Sequence, residues 1–221
     1  MLIDRRRLTA EFLGTLILVL GVVGSGIMAA NLSPNDVGLQ LLQNALATAG
    51  VLFVIITIFM PVSGASFNPI VTLAATAFGD FDRREVLPYV VVQSLGGATG
   101  AILANVLFDL DAAQWATKDR DASHLLISEV VASVGLLIVI FALTRTKREA
   151  LIAPSVACYI GAAYYFTSST SFANPAVTIG RMFSDTFAGI APASAPLFIV
   201  MQLVGLVLAV PLIKFLWPSD S

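Results

Sequence analysis

Two asparagines, each followed by a proline, are the residues whose types and spacing point most directly to a chemical role. Asn68-Pro69-Ile70 and Asn174-Pro175-Ala176 recur with matching neighbours, so the motif is an internal repeat. Proline fits the first turn of a helix because its φ is near the helical value and it has no N–H to lose, and the asparagine before it can cap the helix with its carbonyl oxygen. Each side chain then keeps an NH₂ group to donate to an oxygen atom. The pair predicts a site that holds water or a hydroxyl oxygen by hydrogen bonds.

The composition indicates a membrane protein. Hydrophobic residues make up 57% of the 221 residues, charged residues make up 12%, and the mean hydropathy is +0.90. Soluble domains carry about 25% charged residues, so the bilayer is the expected solvent. Six apolar runs are each long enough to cross a hydrocarbon core of about 30 Å. They lie at 9–30, 39–60, 87–108, 124–143, 150–167 and 195–216.

The segments that begin at the two Asn-Pro motifs are too short to cross a membrane. At about 1.5 Å per residue, 69–79 and 175–183 make about three turns each. We predict re-entrant half-helices whose positive N-terminal ends meet near the bilayer midplane. Since each half has three spans, the second half crosses in the opposite sense. The sequence thus predicts an all-α membrane protein of six transmembrane helices and two half-helices, with a single domain over 1–221 and inverted repeats at about 1–108 and 123–217.

Acidic and amide side chains also recur at equivalent places in the two halves. Glu11 opens the first span and Glu129 the fourth, while Gln93 and Gln202 lie in the third and sixth. An ionisable residue within a span is costly and needs a reason. We interpret each glutamate as a buttress that accepts backbone N–H groups of the adjacent re-entrant loop. The alternative is a solvated charge at a helix end.

The basic residues predict the orientation of the chain. Of the twelve Lys and Arg residues, nine fall in loops on one predicted side of the membrane. The other three, which are Lys118, Arg120 and Arg181, fall on the opposite side. Because basic loops stay in the cytoplasm, we expect an inner-membrane (cell-membrane) protein that crosses several times and has both termini in the cytoplasm.

With these motifs the chain resembles the aquaporin, or major intrinsic protein, family, and within it a bacterial aquaglyceroporin. Asn68-Pro69-Ile70 and Asn174-Pro175-Ala176 match the two signature boxes of that family, and the match covers essentially all 221 residues. The resemblance implies a channel for water and small neutral solutes in the lipid bilayer. It also implies a homotetramer in which every protomer has its own pore.

The sequence departs from the family pattern at two positions next to the boxes. Ile70 replaces the usual alanine of the first box, and Val177 stands directly after the second box, where the family usually has an arginine. That arginine supplies a charge and hydrogen-bond donors to the outer constriction of the pore. An apolar residue in its place predicts a filter that is wider and less polar than usual.

The resemblance places the rest of the selectivity filter on three further segments. By their spacing from the boxes, these positions are Thr48 or Ala49, the stretch of Ile160, Gly161 and Ala162, and Ser171. None of them is a histidine or a large aromatic residue, which supports the prediction of a wide filter.

Arg181 lies four residues beyond Val177 and therefore one turn further along the same helical face. Two interpretations stay open. It is a displaced filter charge at the mouth of the pore, or it is an interfacial side chain that reaches the lipid headgroups.

The function predicted from these features is a passive channel for water, glycerol-like polyols, urea and undissociated metalloid acids such as arsenous acid. Two converging positive helix ends would exclude protons and other cations. The sequence has no nucleophile paired with a base, no phosphate-binding loop and no metal-ligand cluster, so we expect no enzyme activity, cofactor, metal or nucleic-acid partner. The alternatives are a secondary transporter of a small neutral solute, which would need a coupling site near the midplane, and a non-conducting sensor or scaffold.

Overall fold

The protein is described by a computed structural model that covers residues 4–218, so the outermost bounds predicted for the domain lie outside the described residues. Within this range the chain is helical. The helices are α1 (Arg5–Leu32), α2 (Val37–Ser63), α3 (Pro69–Phe78), α4 (Arg83–Leu107), α5 (Ser123–Arg145), α6 (Ile152–Phe166), α7 (Pro175–Arg181) and α8 (Ala195–Leu216). A 3₁₀ turn, Glu149–Leu151, precedes α6.

Six of these helices occupy the predicted spans, and two are short. Helices α1, α2, α4, α5 and α8 are long and apolar enough to cross a bilayer, with mean hydropathies from 1.6 to 2.6 over their best windows. Helix α6 has only 15 residues and is lengthened by the 3₁₀ turn before it. The prediction of six spans and two half-helices is therefore confirmed, while most spans extend a few residues beyond the predicted bounds.

Both half-helices begin where the Asn-Pro motifs predict, but they end differently. Helix α3 stops at Phe78, and Gly79 terminates it with a φ of +90°, a conformation that glycine adopts without steric cost. Helix α7 stops at Arg181, two residues before the predicted end at 183. At this end Met182 and Phe183 make turn bonds to Ile179 and Gly180, and the carbonyl of Arg181 accepts from the distant backbone N–H of Ile190.

The half-helix α7 is held against α4 by a close approach of two backbones. A Cβ atom on Gly97 would lie 2.5 Å from the carbonyl oxygen of Ala176, and one on Gly180 would lie 2.5 Å from the carbonyl oxygen of Gly97. Any side chain at either glycine would push the helices apart. Small residues at such crossings are how helices pack closely in a membrane, where lipid is as apolar as the helix surface. This contact fixes the second half-helix against a helix of the first half of the chain.

Candidate functional site

A single cavity of about 400 Å³ runs beside both half-helices. Arg7 and Asp80 line one end, Asn68 and Asn174 line the middle, and Arg181 lines the other end. We call the two ends the Arg7 mouth and the Arg181 mouth. Most of the remaining wall is aliphatic, including Leu18, Val22, Leu52, Ile56, Val71, Leu136, Ile140, Val156 and Val177. The cavity is thus an apolar tube with a small number of polar groups.

The two asparagines cap their own helices and bond across the pseudo-symmetric halves. Asn68 Oδ1 accepts from Ile70 N at 3.0 Å, and Asn174 Oδ1 accepts from Ala176 N at 2.9 Å. Asn68 Nδ2 donates to the carbonyl of Ala173 at 2.8 Å. The prediction that each NH₂ is wholly free was therefore wrong in part, because one hydrogen of each amide is used in such a cross-bond. The second hydrogen stays available, and both residues line the cavity.

Glu11 holds the loop that precedes the first half-helix. Its carboxylate is fully buried and accepts from Ser63 Oγ at 2.7 Å, Ser66 N at 3.1 Å, Phe67 N at 2.7 Å and Gln93 Nε2 at 2.7 Å. A buried carboxylate is very costly without such donors and is stabilised by charge-assisted hydrogen bonds when they are present. The side chain is therefore not a solvated charge at a helix end.

Glu129 makes the equivalent contacts in the second half. It accepts from Phe172 N at 3.0 Å, Ala173 N at 2.9 Å and Gln202 Nε2 at 2.7 Å. Phe67 and Ala173, which directly precede the two asparagines, both have left-handed backbones with φ of 47° and 45°. Residues with a Cβ rarely adopt this conformation. The buried glutamates supply the hydrogen bonds that keep both loops in it.

The two glutamines connect each glutamate to its half-helix. Gln93 Nε2 also donates to Thr72 Oγ1 at 3.1 Å, and Gln202 Nε2 donates to Thr178 Oγ1 at 3.0 Å. The sequence repeat indicated the glutamines but gave the threonines no role. Their place in the repeat, four residues after each asparagine, was the available signal.

Five of the predicted filter and mouth residues line the cavity, namely Thr48, Ile160, Ser171, Val177 and Arg181. Tyr164, which sequence reasoning missed, lines the same cavity. Its hydroxyl lies 3.0 Å from Thr48 Oγ1. Tyr164 follows Ile160 by four residues, so the two share one face of α6. Tyr164 and Phe172 both line the cavity, so aromatic residues outside the predicted filter positions contribute to its wall.

The other predicted positions lie elsewhere. Gly161 faces Ala49 across the contact between α6 and α2, where a Cβ on the glycine would be 3.4 Å from Ala49 Cβ. Ala162 is exposed on the outer surface. A helix turns by about 100° per residue, so neighbours of Thr48 and Ile160 cannot share their face. Ile70 is fully buried in the hydrophobic core and so adds no bulk to the cavity wall.

Arg181 is an internal residue of the mouth. It is 3% exposed, its Nε donates to the carbonyl of Ala188, and its guanidinium carbon lies 3.4 Å from the centre of the Phe172 ring. A side chain reaching toward lipid headgroups would be exposed at its tip, so the interfacial interpretation does not fit this position.

Two further cations lie in the loop between α4 and α5, close to this mouth. Burial lowers the pKa of Arg120 to about 10, and the negative charge of Glu129 opposes the shift. Partial burial, followed by the charges of Arg120 and Arg181, lowers the pKa of Lys118 to about 8. Lys118 is nevertheless exposed at the surface, so solvent screens its charge. The field at this mouth therefore comes mainly from the two arginines.

Two half-helices that meet at capping asparagines beside an apolar tube define a membrane channel of the aquaporin fold. The chain belongs to the major intrinsic protein family, whose model, described as "Major intrinsic protein", matches residues 3–172. That match ends two residues before Asn174, whose box is nevertheless intact in the structure. The chain is thus an integral, multi-pass membrane protein of a family of channels for water and small solutes.

Individual relatives are similar over most of the chain. Aquaglyceroporin AqpS of Rhizobium meliloti (strain 1021) is 46% identical over 211 residues, which is 96% of this chain and 90% of the relative. Aquaporin Z of Photorhabdus laumondii subsp. laumondii is 31% identical over 163 residues, or 67% of this chain and 70% of the relative. The X-ray structure of the aquaglyceroporin from Plasmodium falciparum superposes with a TM-score of 0.71 over 96% of this chain and 95% of that chain, at 21% identity. This last likeness shows the fold alone.

Proposed function

We propose that the protein is a passive channel for water and for uncharged solutes larger than water, which include glycerol-like polyols, urea and undissociated metalloid acids such as arsenous acid. The observation that carries this proposal is the aliphatic Val177, which directly follows the second Asn-Pro box and lines the same cavity as Ser171. An aliphatic side chain accepts the carbon backbone or methyl group of a solute. The hydroxyl groups of Ser171, Thr48 and Tyr164 supply polar partners on the remaining wall.

The centre of the cavity selects for neutral molecules. The available amide hydrogens of Asn68 and Asn174 donate to a lone pair of water or of a solute hydroxyl. The N-terminal ends of α3 and α7 carry partial positive charge of about half a unit each, which opposes cations, including protons. The aliphatic wall has no polar groups that could replace the hydration shell of an ion.

Passive flux suits the distribution of charge better than coupled transport does. Among the cavity-lining residues the carboxylates are Asp80 and Glu149, both near the Arg7 mouth. Glu11 and Glu129 lie behind the wall, and their oxygens are occupied by protein donors. A secondary transporter would be expected to place a titratable or cation-binding group near the midplane.

The same proposal includes the assembly and orientation of the channel. The excess of basic residues in the loops on one side supports an inner-membrane protein with both termini in the cytoplasm. The Arg181 mouth is then external. The many exposed apolar side chains of α2, α4 and α8 suit contact with lipid and with neighbouring protomers of a homotetramer.

Flux into proteoliposomes tests this function. Purified protein is reconstituted, and light scattering follows the entry of water, glycerol, urea and neutral arsenous acid, with empty liposomes as the control. The proposal predicts rates that rise linearly with concentration and do not respond to proton or sodium gradients. Saturable entry that follows a gradient would show a transporter, and the absence of any flux above empty liposomes would show a non-conducting member.

A further inference from the structure

The Arg181 mouth contains two buried cations that share one aromatic ring. The guanidinium carbon of Arg181 lies 3.4 Å from the centre of the Phe172 ring, and that of Arg120 lies 4.8 Å from it. Both arginines are at least nine-tenths buried. Two like charges held this close repel each other, and burial adds a desolvation cost to each. Such an arrangement favours the binding of an anion that is attracted by both arginines.

In the described part of the chain, no carboxylate forms an ion pair with either arginine. Within residues 4–218 the ion pair formed is Arg7 with Glu85, at the opposite mouth. Glu129 acts on Arg120 through its charge, but its oxygens accept from Phe172 N, Ala173 N and Gln202 Nε2. The positive charge at the Arg181 mouth is thus only partly compensated.

The two arginines differ in how far their donors are used. Arg120 lies behind the wall and donates from Nε to Gly189 O at 3.0 Å and from Nη1 to Ser169 O at 3.3 Å. Arg181 lines the cavity and, within the described chain, bonds only from Nε to the carbonyl of Ala188. The N–H groups of both terminal nitrogens of Arg181 are therefore available to a ligand in the cavity.

A second polar group in the same wall also lacks a partner. Ser171 lines the cavity, and its buried Oγ has no hydrogen-bond partner among residues 4–218. A buried hydroxyl without a partner costs free energy, which a bound ligand would recover. Val177 lines the same cavity and offers an apolar contact. The site combines a guanidinium fork, a hydroxyl and an aliphatic surface.

We propose that the Arg181 mouth binds small monovalent oxyanions with a short apolar part, such as short-chain carboxylates, and that a bound anion obstructs the passage of neutral solutes. Arginine recognises two oxygens of one oxyanion through paired N–H groups, and Ser171 donates to the same group. The methyl or alkyl part contacts Val177. The anion stays at the mouth because the aliphatic wall beyond it gives no replacement for water. The obstruction rests on the proposed channel function, whereas the binding does not.

Inhibition of flux by the anion of a strong acid tests the site. Such an acid has essentially no neutral form at neutral pH, so no neutral acid permeates and interferes with the measurement. Glycerol and water flux are measured in proteoliposomes equilibrated with sodium methanesulfonate on both sides, with sodium gluconate at equal concentration as a bulky reference anion. We expect methanesulfonate to inhibit the wild-type channel and gluconate to leave it unchanged. In Arg181→Met the inhibitory concentration should rise by roughly tenfold or more, because a charge-assisted hydrogen bond is lost. Arg84→Gln, which removes an exposed charge at the Arg7 side, is the matched control and should behave as wild type.

A direct binding measurement keeps the inference separate from the channel function. Trifluoroacetate is titrated into purified protein, and fluorine NMR reports binding as line broadening, which should be present in wild type and absent in Arg181→Met. If Arg181→Met does not fold, Arg181→Lys and Ser171→Ala replace it. Both are expected to weaken binding, but less than Arg181→Met does. No broadening in wild type, or equal inhibition in wild type and the Arg181 variants, would overturn the proposal. Inhibition by acetate but not by methanesulfonate would also overturn it, since a neutral acid would then be the competitor.

Discussion

Asn174 Nδ2 lies 2.8 Å from the carbonyl oxygen of Phe67, so the cap of the second half-helix is bonded to the loop that leads into the first. The reciprocal bond joins Asn68 to Ala173. Each asparagine therefore has three tasks. It caps its own helix and locks the opposite loop, and it presents its second amide hydrogen to the cavity.

Replacing either asparagine with aspartate should damage the channel. Asn68→Asp or Asn174→Asp puts an acceptor-only anion opposite a carbonyl oxygen and removes the donor that faces the solute. It also places negative charge between two positive helix ends. We expect water flux to fall or cations to leak, as measured by light scattering and by ion current in planar bilayers. Normal water flux with no ion current in both variants would contradict the central role of these amides.

The glutamate buttresses should affect stability more than selectivity. Glu11→Gln and Glu129→Gln replace a charged acceptor for buried N–H groups with a neutral one, which should lower the free energy of unfolding by about 1 to 3 kcal/mol. Thermal unfolding in detergent and the yield of folded protein measure this effect. A variant of full stability whose solute preference changes would show that the glutamate acts on the permeation path.

The crossing of α4 and α7 should not tolerate a side chain. In Gly97→Ala the new Cβ would lie 2.5 Å from the carbonyl oxygen of Ala176, and separating the backbones should cost on the order of 1 to 3 kcal/mol. Gly50→Ala is the matched control, because a Cβ on Gly50 meets nothing within 4 Å. Thermal unfolding should distinguish the two, and equal melting temperatures would contradict the close approach.

Tyr164 should limit the size of permeant solutes. Tyr164→Val removes an aromatic ring from the cavity wall next to Thr48 and should raise the flux of solutes bulkier than glycerol relative to that of water. The neighbouring Tyr165 is 54% exposed on the outer surface, so Tyr165→Val is a control of the same chemistry. If both variants change the flux ratio to the same extent, Tyr164 does not form the constriction.

The sequence predicted the fold well because the dominant signals are local. Apolar runs of sufficient length locate the spans, and an asparagine before a proline locates the start of each half-helix. The end of α7 was missed by two residues, at a place where the carbonyl of Arg181 bonds to Ile190, which is distant in sequence. Helix ends that are set by tertiary contacts leave little trace in a local pattern.

The filter was harder to predict because spacing from a motif fails across an irregular loop. Between α6 and Asn174 the backbone is left-handed at Thr170, Ser171 and Ala173, so the rise per residue is not constant along this loop. The position of Tyr164 in the wall could not be read from the number of residues that separates it from Asn174. The signal that would have located Tyr164 is its spacing of four residues from Ile160, which puts both side chains on one face of α6.

In the proposed function, Val177 makes the filter permissive to uncharged solutes larger than water. Flux of water, glycerol and a methylated solute is measured for wild type, for Val177→Arg and for the double variant Val177→Arg with Arg181→Ala. The double variant is needed because Arg181 lies one helical turn away and would repel a new arginine by roughly 1 kcal/mol in a wet site. The added charge and bulk should reduce the flux of the methylated solute by roughly tenfold more than that of water, which corresponds to about 1.4 kcal/mol in the barrier. If both variants fold and pass water, glycerol and the methylated solute in wild-type proportions, Val177 does not set the selectivity of the filter.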